Sequence, residues 1–492
     1  MTGRVVSNSD AARVRHAPRR EFGSFRDPSG FLVWRDGEIF RVVTRYYQRE
    51  FEHATASGLF QSAIDAGLML PFRLSEVSAA ELAPGSLEAS DAVAVLKPDR
   101  VPMITYPYEW SFSQLKDAAA TTLRLHLLAL KHGMLLKDAS AYNIQFVDGR
   151  ARHIDHLSFD PVSAHPAWPA YGQFCRHFLA PLLLMSRVDL SLGRLSVAHL
   201  DGVPLDLASR LLPWRSRLSP STQMHIHMHA RASEKYAASR GLTGKSARRL
   251  SDRAFEAFAT SLLETVERLK PLPQKTEWGA YYEDTNYSDA ALDGKKALVR
   301  RFAERVAPRT IWDMGGNNGA FSRVVCDLAR LVVCMDVDPR AVDENYRTCR
   351  QSKIGNILPM LVDLTNPSPA IGFANKERAT LADRGQPDLV MALALIHHLA
   401  ISNNLPLPYI AGYFASIAPA LLIEFVPKSD SQVQRLLSSR PDIFPDYHET
   451  GFLDAFSSAF DVEKSQRIPG TERTLHLLRR RPAWLDTGAA GS

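Results

Sequence analysis

Five residues in the stretch 311-IWDMGGNNGAFSRV-324, namely Asp313, Gly315, Gly316, Asn317 and Gly319, stand where an apolar run gives way to a helical pattern. A strand that feeds a helix through small residues leaves backbone N–H groups at the helix start, and the missing side chains let a ligand come close. The dinucleotide spacing G-x-G-x-x-G fits poorly, because positions 315, 317 and 320 hold Gly, Asn and Ala. The spacing acid-x-G-x-G-x-G fits better: Asp313, Gly315, Asn317 and Gly319 fill it with one replacement, and asparagine is the residue that next best tolerates positive φ. Further acids follow at matching places. Asp336 ends the apolar run 331-LVVCMD-336, where a carboxylate can accept both hydroxyls of a ribose. Its rival reading is a plain helix cap ahead of Pro339. Asp363, in 362-VDL-364, is placed to take an amino group on a purine, or to serve the turn Asp-Leu-Thr-Asn-Pro. His397 and His398 close the run 388-DLVMALALIHHL-399 as either a catalytic base or a pocket wall, and Glu424 in 421-LLIEFVPKSD-430 is either a substrate contact or structural.

These residues need a scaffold that brings strand ends together. From Arg309 onward, RTIWDMG, ARLVVCMDV, NILPMLVD, PDLVMALAL and PALLIEFV alternate with helical patterns, which implies a parallel sheet with helices on both faces. Two strand-like runs around Pro469-Gly470 add an antiparallel hairpin. Together these features resemble the class I S-adenosylmethionine-dependent methyltransferases over residues 278 to 480. The resemblance implies a Rossmann-like α/β sheet, S-adenosylmethionine as cofactor, and Asp313, Gly315, Gly316, Asn317, Gly319, Asp336 and Asp363 as its contacts. It also implies a lid ahead of the first strand, where Trp278, Tyr281, Tyr282 and Tyr287 supply aromatic faces for a sulfonium cation. The fourth strand lacks the Asn/Asp-Pro-Pro-aromatic motif of enzymes that methylate amino groups of adenine and glutamine. That disfavours those substrates and tilts the expectation toward O-methylation of a small molecule or glycan, with His397, His398 or Glu424 as candidates for the base. A sensor that binds the nucleoside without turnover is the alternative.

The front half carries a second pattern, 132-HGMLLKDASAYNIQFVDGRARHIDHLSFD-160. Asp138, Asn143 and Asp155 in it resemble the catalytic loop and metal-binding aspartate of kinase-like phosphotransferases. No lysine occurs before Lys97, and 30-GFLVWRDG-37 is no glycine-rich loop, so the phosphate grip is missing unless Arg41 replaces it. We read an α+β kinase-like scaffold without phosphotransfer, a bifunctional enzyme being the rival. In 225-HIHMH-229, His225 and His229 share a helix face but have no nearby acid or cysteine, so no metal is expected. The layout, with 107-PYEWSFSQLKDAA-119 ahead of the loop, also resembles a family of bacterial two-part proteins labelled as methyltransferases, some linked to host-specific nodulation.

The 492 residues exceed what one core usually serves. We divide them into a disordered basic tail (1–28), a kinase-like unit (29–269), a methyltransferase unit (270–481) and a C-terminal tail (482–492). Net charge is +6, but residues 1–30 hold six arginines against three acids, so the remainder is nearly balanced and no nucleic-acid footprint is expected. No run is long enough for a membrane span or a signal peptide, which points to a cytoplasmic protein without membrane partners. Cys175, Cys326, Cys334 and Cys349 form no CxxC pair and are read as reduced and buried.

Overall fold

A computed structural model describes residues 17–231, 251–273, 289–482 and 484. The lid aromatics Trp278, Tyr281, Tyr282 and Tyr287 lie outside the described residues. The front half opens on an antiparallel sheet of β1 (Arg19–Arg20), β2 (Gly30–Arg35), β3 (Glu38–Thr44), β4 (Phe72–Leu74) and β5 (Ala92–Pro98), in the order β1-β2-β3-β5-β4. The β2–β3 hairpin turns at Asp36 (φ 53°) and Gly37 (φ 77°), the pair of positive φ angles that such a turn requires. Part of the stretch expected to be a disordered tail is strand. Arg19 and Arg20 pair with Trp34 and Val33, and Arg20 lies over the Phe31 ring at 4.5 Å, so arginines counted as tail are edge residues of the sheet. Helix α1 (Phe112–Lys131) follows, started by a reciprocal cap in which Ser111 N–H donates to the Gln114 side chain (3.0 Å) and Ser111 Oγ accepts from Gln114 N–H (3.3 Å). Two short hairpin-like pairs carry the loop residues: β6 (Met134–Leu136) with β9 (Phe159–Pro161), and β7 (Ile144–Val147) with β8 (Arg150–His153). Helix α2 (Asp252–Arg268) packs on α1.

The C-terminal half is a Rossmann-like sheet. Helix α3 (Asp289–Val306) leads into β10 (Thr310–Met314), helix α4 (Ala320–Val325), β11 (Leu331–Asp336), helix α5 (Pro339–Gln351), β12 (Ile357–Leu361), β13 (Leu389–Ala392), helix α6 (Leu407–Ile417) and β14 (Ala420–Phe425). The hairpin of β15 (Phe460–Arg467) and β16 (Thr474–Arg480) completes the order β12-β11-β10-β13-β14-β16-β15, with five strands paired in parallel and β16 antiparallel to both β14 and β15. Alternation fixes its two faces: Val332 and Cys334 enter the cluster with Phe302 of α3, while Val333 and Met335 enter the one with Leu115 of α1 and Trp110 just ahead of that helix. The front half thus shares the core of one sheet face. Polar contacts seal the join, with Ser113 N–H donating to Asp343 (2.7 Å), Tyr346 OH to Asp117 (2.7 Å) and Gln114 Nε2 to the Pro359 carbonyl (3.0 Å). Pro359 sits in the edge strand β12, where a residue without N–H is tolerated, and α1 covers that edge. Among the described residues no helix is long and apolar enough to cross a membrane. All four cysteines are free; Cys326, which caps the C-terminus of α4, is only half-buried, and the other three are buried.

Candidate active site

β10 delivers Asp313 to the sheet's C-terminal edge, and the chain turns with Gly315 at φ 76°, Asn317 at φ 49° and Gly319 at φ 75°. Asparagine at 317 therefore does occupy the left-handed region. A Cβ on Gly316 would collide with Cys334 Sγ and the Asp313 carboxylate, and one on Gly319 with Asn345, which explains both glycines by close approach. The N–H groups of the turn are not available for a ligand, however. Those of Gly315 and Gly316 both donate to the Met335 carbonyl (2.9 Å each), that of Asn317 to Asp336 Oδ2 (2.8 Å), that of Asn318 to Asn317 Oδ1 (2.8 Å) and that of Gly319 to the Gly316 carbonyl (2.9 Å). The turn folds over the end of β11 and uses its donors there.

Asp336 accepts from the N–H groups of Asn317 and Asp338 (2.9 Å) on its two oxygens, and burial pushes its pKa up to about 6 against those bonds. The helix cap is a different residue: Asp338 Oδ1 accepts from Arg340 N–H (2.8 Å) and Ala341 N–H (3.2 Å) at the start of α5. Asp313 takes the Ser322 hydroxyl (2.6 Å) and is likewise raised to about 6 by burial. A cavity of about 310 Å³ opens over this edge. Asp313, Gly315, Gly316, Asn317, Asp336 and Asp363 all line it; Gly319 does not, and acts through the turn. Asp363 serves the turn, since its Oδ1 accepts from the Thr365 N–H (2.9 Å) and hydroxyl (2.7 Å), while it also lines the cavity.

The three candidate bases separate. His398 and Ser402 line the cavity, whereas His397 and Glu424 do not. Burial holds His397 well below the usual imidazole range, and burial together with Arg473 holds His398 at about 4, so both rings are neutral at physiological pH. Glu424 is fully buried, with Lys295 Nζ at 2.6 Å and Arg473 Nη1 at 3.3 Å, and Arg473 also donates to Asp430 (2.8 Å). This buried ion cluster went unread in the sequence. Its one signal is Lys295 itself, which falls on the buried stripe of α3 with Ala291, Leu298 and Phe302. Lys295 also lines the cavity, 4.5 Å from the Phe321 ring centre. A larger groove of about 610 Å³ between α5 and residues 271–273 touches none of the candidate residues.

In the front half, Asp138 accepts from Ser140 N–H (2.9 Å), and Asp155 pairs with Arg41 Nη2 (3.1 Å) while also accepting from Ser158 Oγ and from Leu157 N–H (3.2 Å). Burial opposes the charge on Asp155, yet Arg41 and these donors keep its pKa below the usual range. Arg41 reaches Asp27 as well (2.5 Å). His225 Nδ1 bonds to Tyr171 OH (2.7 Å) and His229 stacks on the same ring at 4.8 Å, so these histidines pack on a tyrosine. Among the described residues no group of three or more His, Cys, Asp or Glu is arranged to hold a metal.

No family model matches the chain. Among solved structures, the N-methyltransferase NodS from Bradyrhizobium japonicum WM9 aligns with 39% of this chain and 98% of its own at 13% identity and a TM-score of 0.30. The bifunctional kinase-methyltransferase WbdD aligns with 44% of this chain and 46% of its own at 12% identity and a TM-score of 0.28. A sequence relative reaches much further: nodulation protein NoeA of Rhizobium meliloti (strain 1021) is 38% identical over 479 residues, which span 96% of this chain and 99% of the relative. With that identity along nearly the whole of both chains, this protein belongs to the family of nodulation protein NoeA.

Proposed function

We propose that the chain is an S-adenosylmethionine-dependent methyltransferase acting on a small molecule or glycan, with an oxygen acceptor favoured. One observation carries this reading: Asp336 presents a buried carboxylate, both oxygens steadied by backbone N–H groups, in the wall of a cavity whose glycine turn has used its own donors. A nucleoside with a neutral sugar suits such a wall, whereas a pyrophosphate would need those donors. The volume of about 310 Å³ is at the lower end of small-molecule sites. Asp336 then takes the ribose hydroxyls, Asp363 faces the base, and the Lys295 ammonium offers a counter-charge to the methionine carboxylate. The nodulation name of the relative supports a role in that process.

When bound, S-adenosylmethionine supplies a methyl group already activated on a sulfonium. The protein's work is to hold the acceptor atom in line and keep water out. His398 is the residue we assign to the acceptor. A conjugate acid near 4 is too acidic to store a proton at neutral pH, so the ring nitrogen accepts a hydrogen bond from the acceptor hydroxyl and orients it. His398→Ala should lower kcat by roughly 10–100-fold with the KM for S-adenosylmethionine unchanged. Incubation with labelled S-adenosylmethionine and a host-cell extract, followed by identification of the labelled product, tests the function and supplies the acceptor for that measurement. Labelled cofactor that binds but yields no labelled product would favour the sensor reading.

A phosphotransferase activity is disfavoured by Arg41, whose guanidinium already neutralises Asp155. ATP with magnesium should therefore leave the melting temperature unchanged at millimolar concentration, while S-adenosylmethionine raises it, since a ligand selective for the folded state stabilises by RT ln(1 + [L]/Kd). An ATP-dependent rise that vanishes in Asp155→Ala would reinstate the bifunctional enzyme.

A further inference from the structure

Residues 362–388, the connection between β12 and β13, form a strap that begins in the cavity wall with Asp363 and Thr365 and then runs onto the front half. We propose that the front half serves the methyl-transfer site as a clamp for this strap, with Ser368 and Arg378 as positioning residues for the adenine end of the cofactor. The proposal rests on the reading of the cavity given above.

The clamp has several points. Five residues beyond Asp363, the Ser368 hydroxyl donates to the Glu109 carboxylate, which Arg384 also grips through Nη1 (2.7 Å) from the strap's far limb. Both charged side chains of that pair are almost wholly buried, at 0% and 3% exposure, so the strap's two limbs are fixed to one point of the front half. Leu381 N–H donates to the Ser368 carbonyl (3.2 Å) and ties the limbs to each other. At the tip, Arg378 lies 4.2 Å from the ring centre of Tyr142, the neighbour of Asn143 in the loop that resembles a catalytic loop. Ala379 N–H donates to Tyr106 OH (2.9 Å), and Glu377 pairs with Arg26 (2.6 Å). A connection of this length is uncommon inside a compact domain unless it serves a function. Left unpinned, it would have to be ordered each time a ligand arrived, and that ordering would be subtracted from affinity. The loop around Asn143 thus has a use that needs neither metal nor nucleotide: it is a bearing surface for the strap.

The test is equilibrium binding to the full-length protein of S-adenosylhomocysteine and of methylthioadenosine, which shares only the adenosine end. Arg378→Ala and Ser368→Ala should each weaken both ligands by the same factor, about five- to tenfold, with a melting temperature close to that of the wild type. Tyr142→Ala should copy Arg378→Ala, and Tyr142→Phe, which keeps the ring under the guanidinium, should bind as the wild type does. A purely structural role would not produce that rescue together with an equal loss on both ligands. Wild-type binding by Arg378→Ala and Ser368→Ala, or a loss confined to S-adenosylhomocysteine, overturns the clamp. If the wild type binds neither ligand, the cavity reading itself falls and the clamp falls with it.

Discussion

Asp336→Ala is expected to weaken S-adenosylmethionine and S-adenosylhomocysteine by about 1.5–3 kcal/mol, or roughly 10–150-fold in Kd. In the proposed complex the carboxylate would make charge-assisted bonds to the ribose, and in the variant its two steadying N–H groups would lose their acceptor. Stability of the free protein should move much less. Losing two backbone hydrogen bonds destabilises, while removing a carboxylate that burial raises to about 6 relieves the free protein at neutral pH. The sign follows from linkage: a folded pKa above the unfolded value means that this group's stability contribution is full below about pH 4 and is lost as pH rises through about 6. On the proposed reading binding should have the opposite slope, because the ribose hydroxyls would need the ionised form. Cofactor affinity of the wild type should therefore climb between about pH 5 and 7, and the climb should flatten in Asp336→Ala, where only Asp313 still titrates near 6. Calorimetry across that window measures both. A change in affinity below about 0.5 kcal/mol would reduce Asp336 to a wall residue.

Glu424→Ala should be the most damaging single substitution to the fold, at about 3–5 kcal/mol in denaturant unfolding, because it removes the carboxylate that two buried cations share. Lys295 and Arg473 are 3% and 4% exposed and lose their shared carboxylate, while Arg473 retains Asp430. Burial already lowers the Lys295 pKa, and Glu424 is the chief influence raising it, so the variant should lower it further. A depressed lysine pKa makes the unfolded chain bind the extra proton, and stability then rises with pH. The deficit should therefore shrink from pH 7 to pH 9. A deficit independent of pH would mean that lost packing, and not the loss of the carboxylate beside the ammonium, sets the loss. Pairing Glu424→Met with Lys295→Met should recover much of the stability while cofactor binding stays weak, since the cavity loses its cation.

The parts that sequence made legible are those where a residue type is dictated locally. Gly315, Asn317 and Gly319 announce positive φ, and the alternation of strands and helices after Arg309 announces the parallel sheet. What stayed hidden depends on partners far along the chain. That the turn's N–H groups are consumed follows from where the Met335 carbonyl falls, a matter of register between β10 and β11. Asp336 and Asp338 are equivalent candidates for the cap in the string DVDP, and only the start of α5 separates them. Glu424 read evenly as substrate contact or structure because Lys295 lies 129 positions before it and Arg473 lies 49 after. The strap's grip on Glu109 and Tyr142 spans more than 230 positions and leaves no local trace.

The cover that α1 gives to β12 also sets a timetable. Ser113 meets Asp343 across 230 positions and Gln114 meets Pro359 across 245, so the helix leaves the ribosome long before its partners do. At roughly 5–20 residues per second the wait is about 10–50 s. During it, Trp110 and Leu115, which end up in one core with Val333 and Met335, lack the sheet face that finally covers them. A nascent chain in that condition is a client for chaperones. A stop codon placed between the halves would release an open apolar flank for proteases to find, not a smaller working protein.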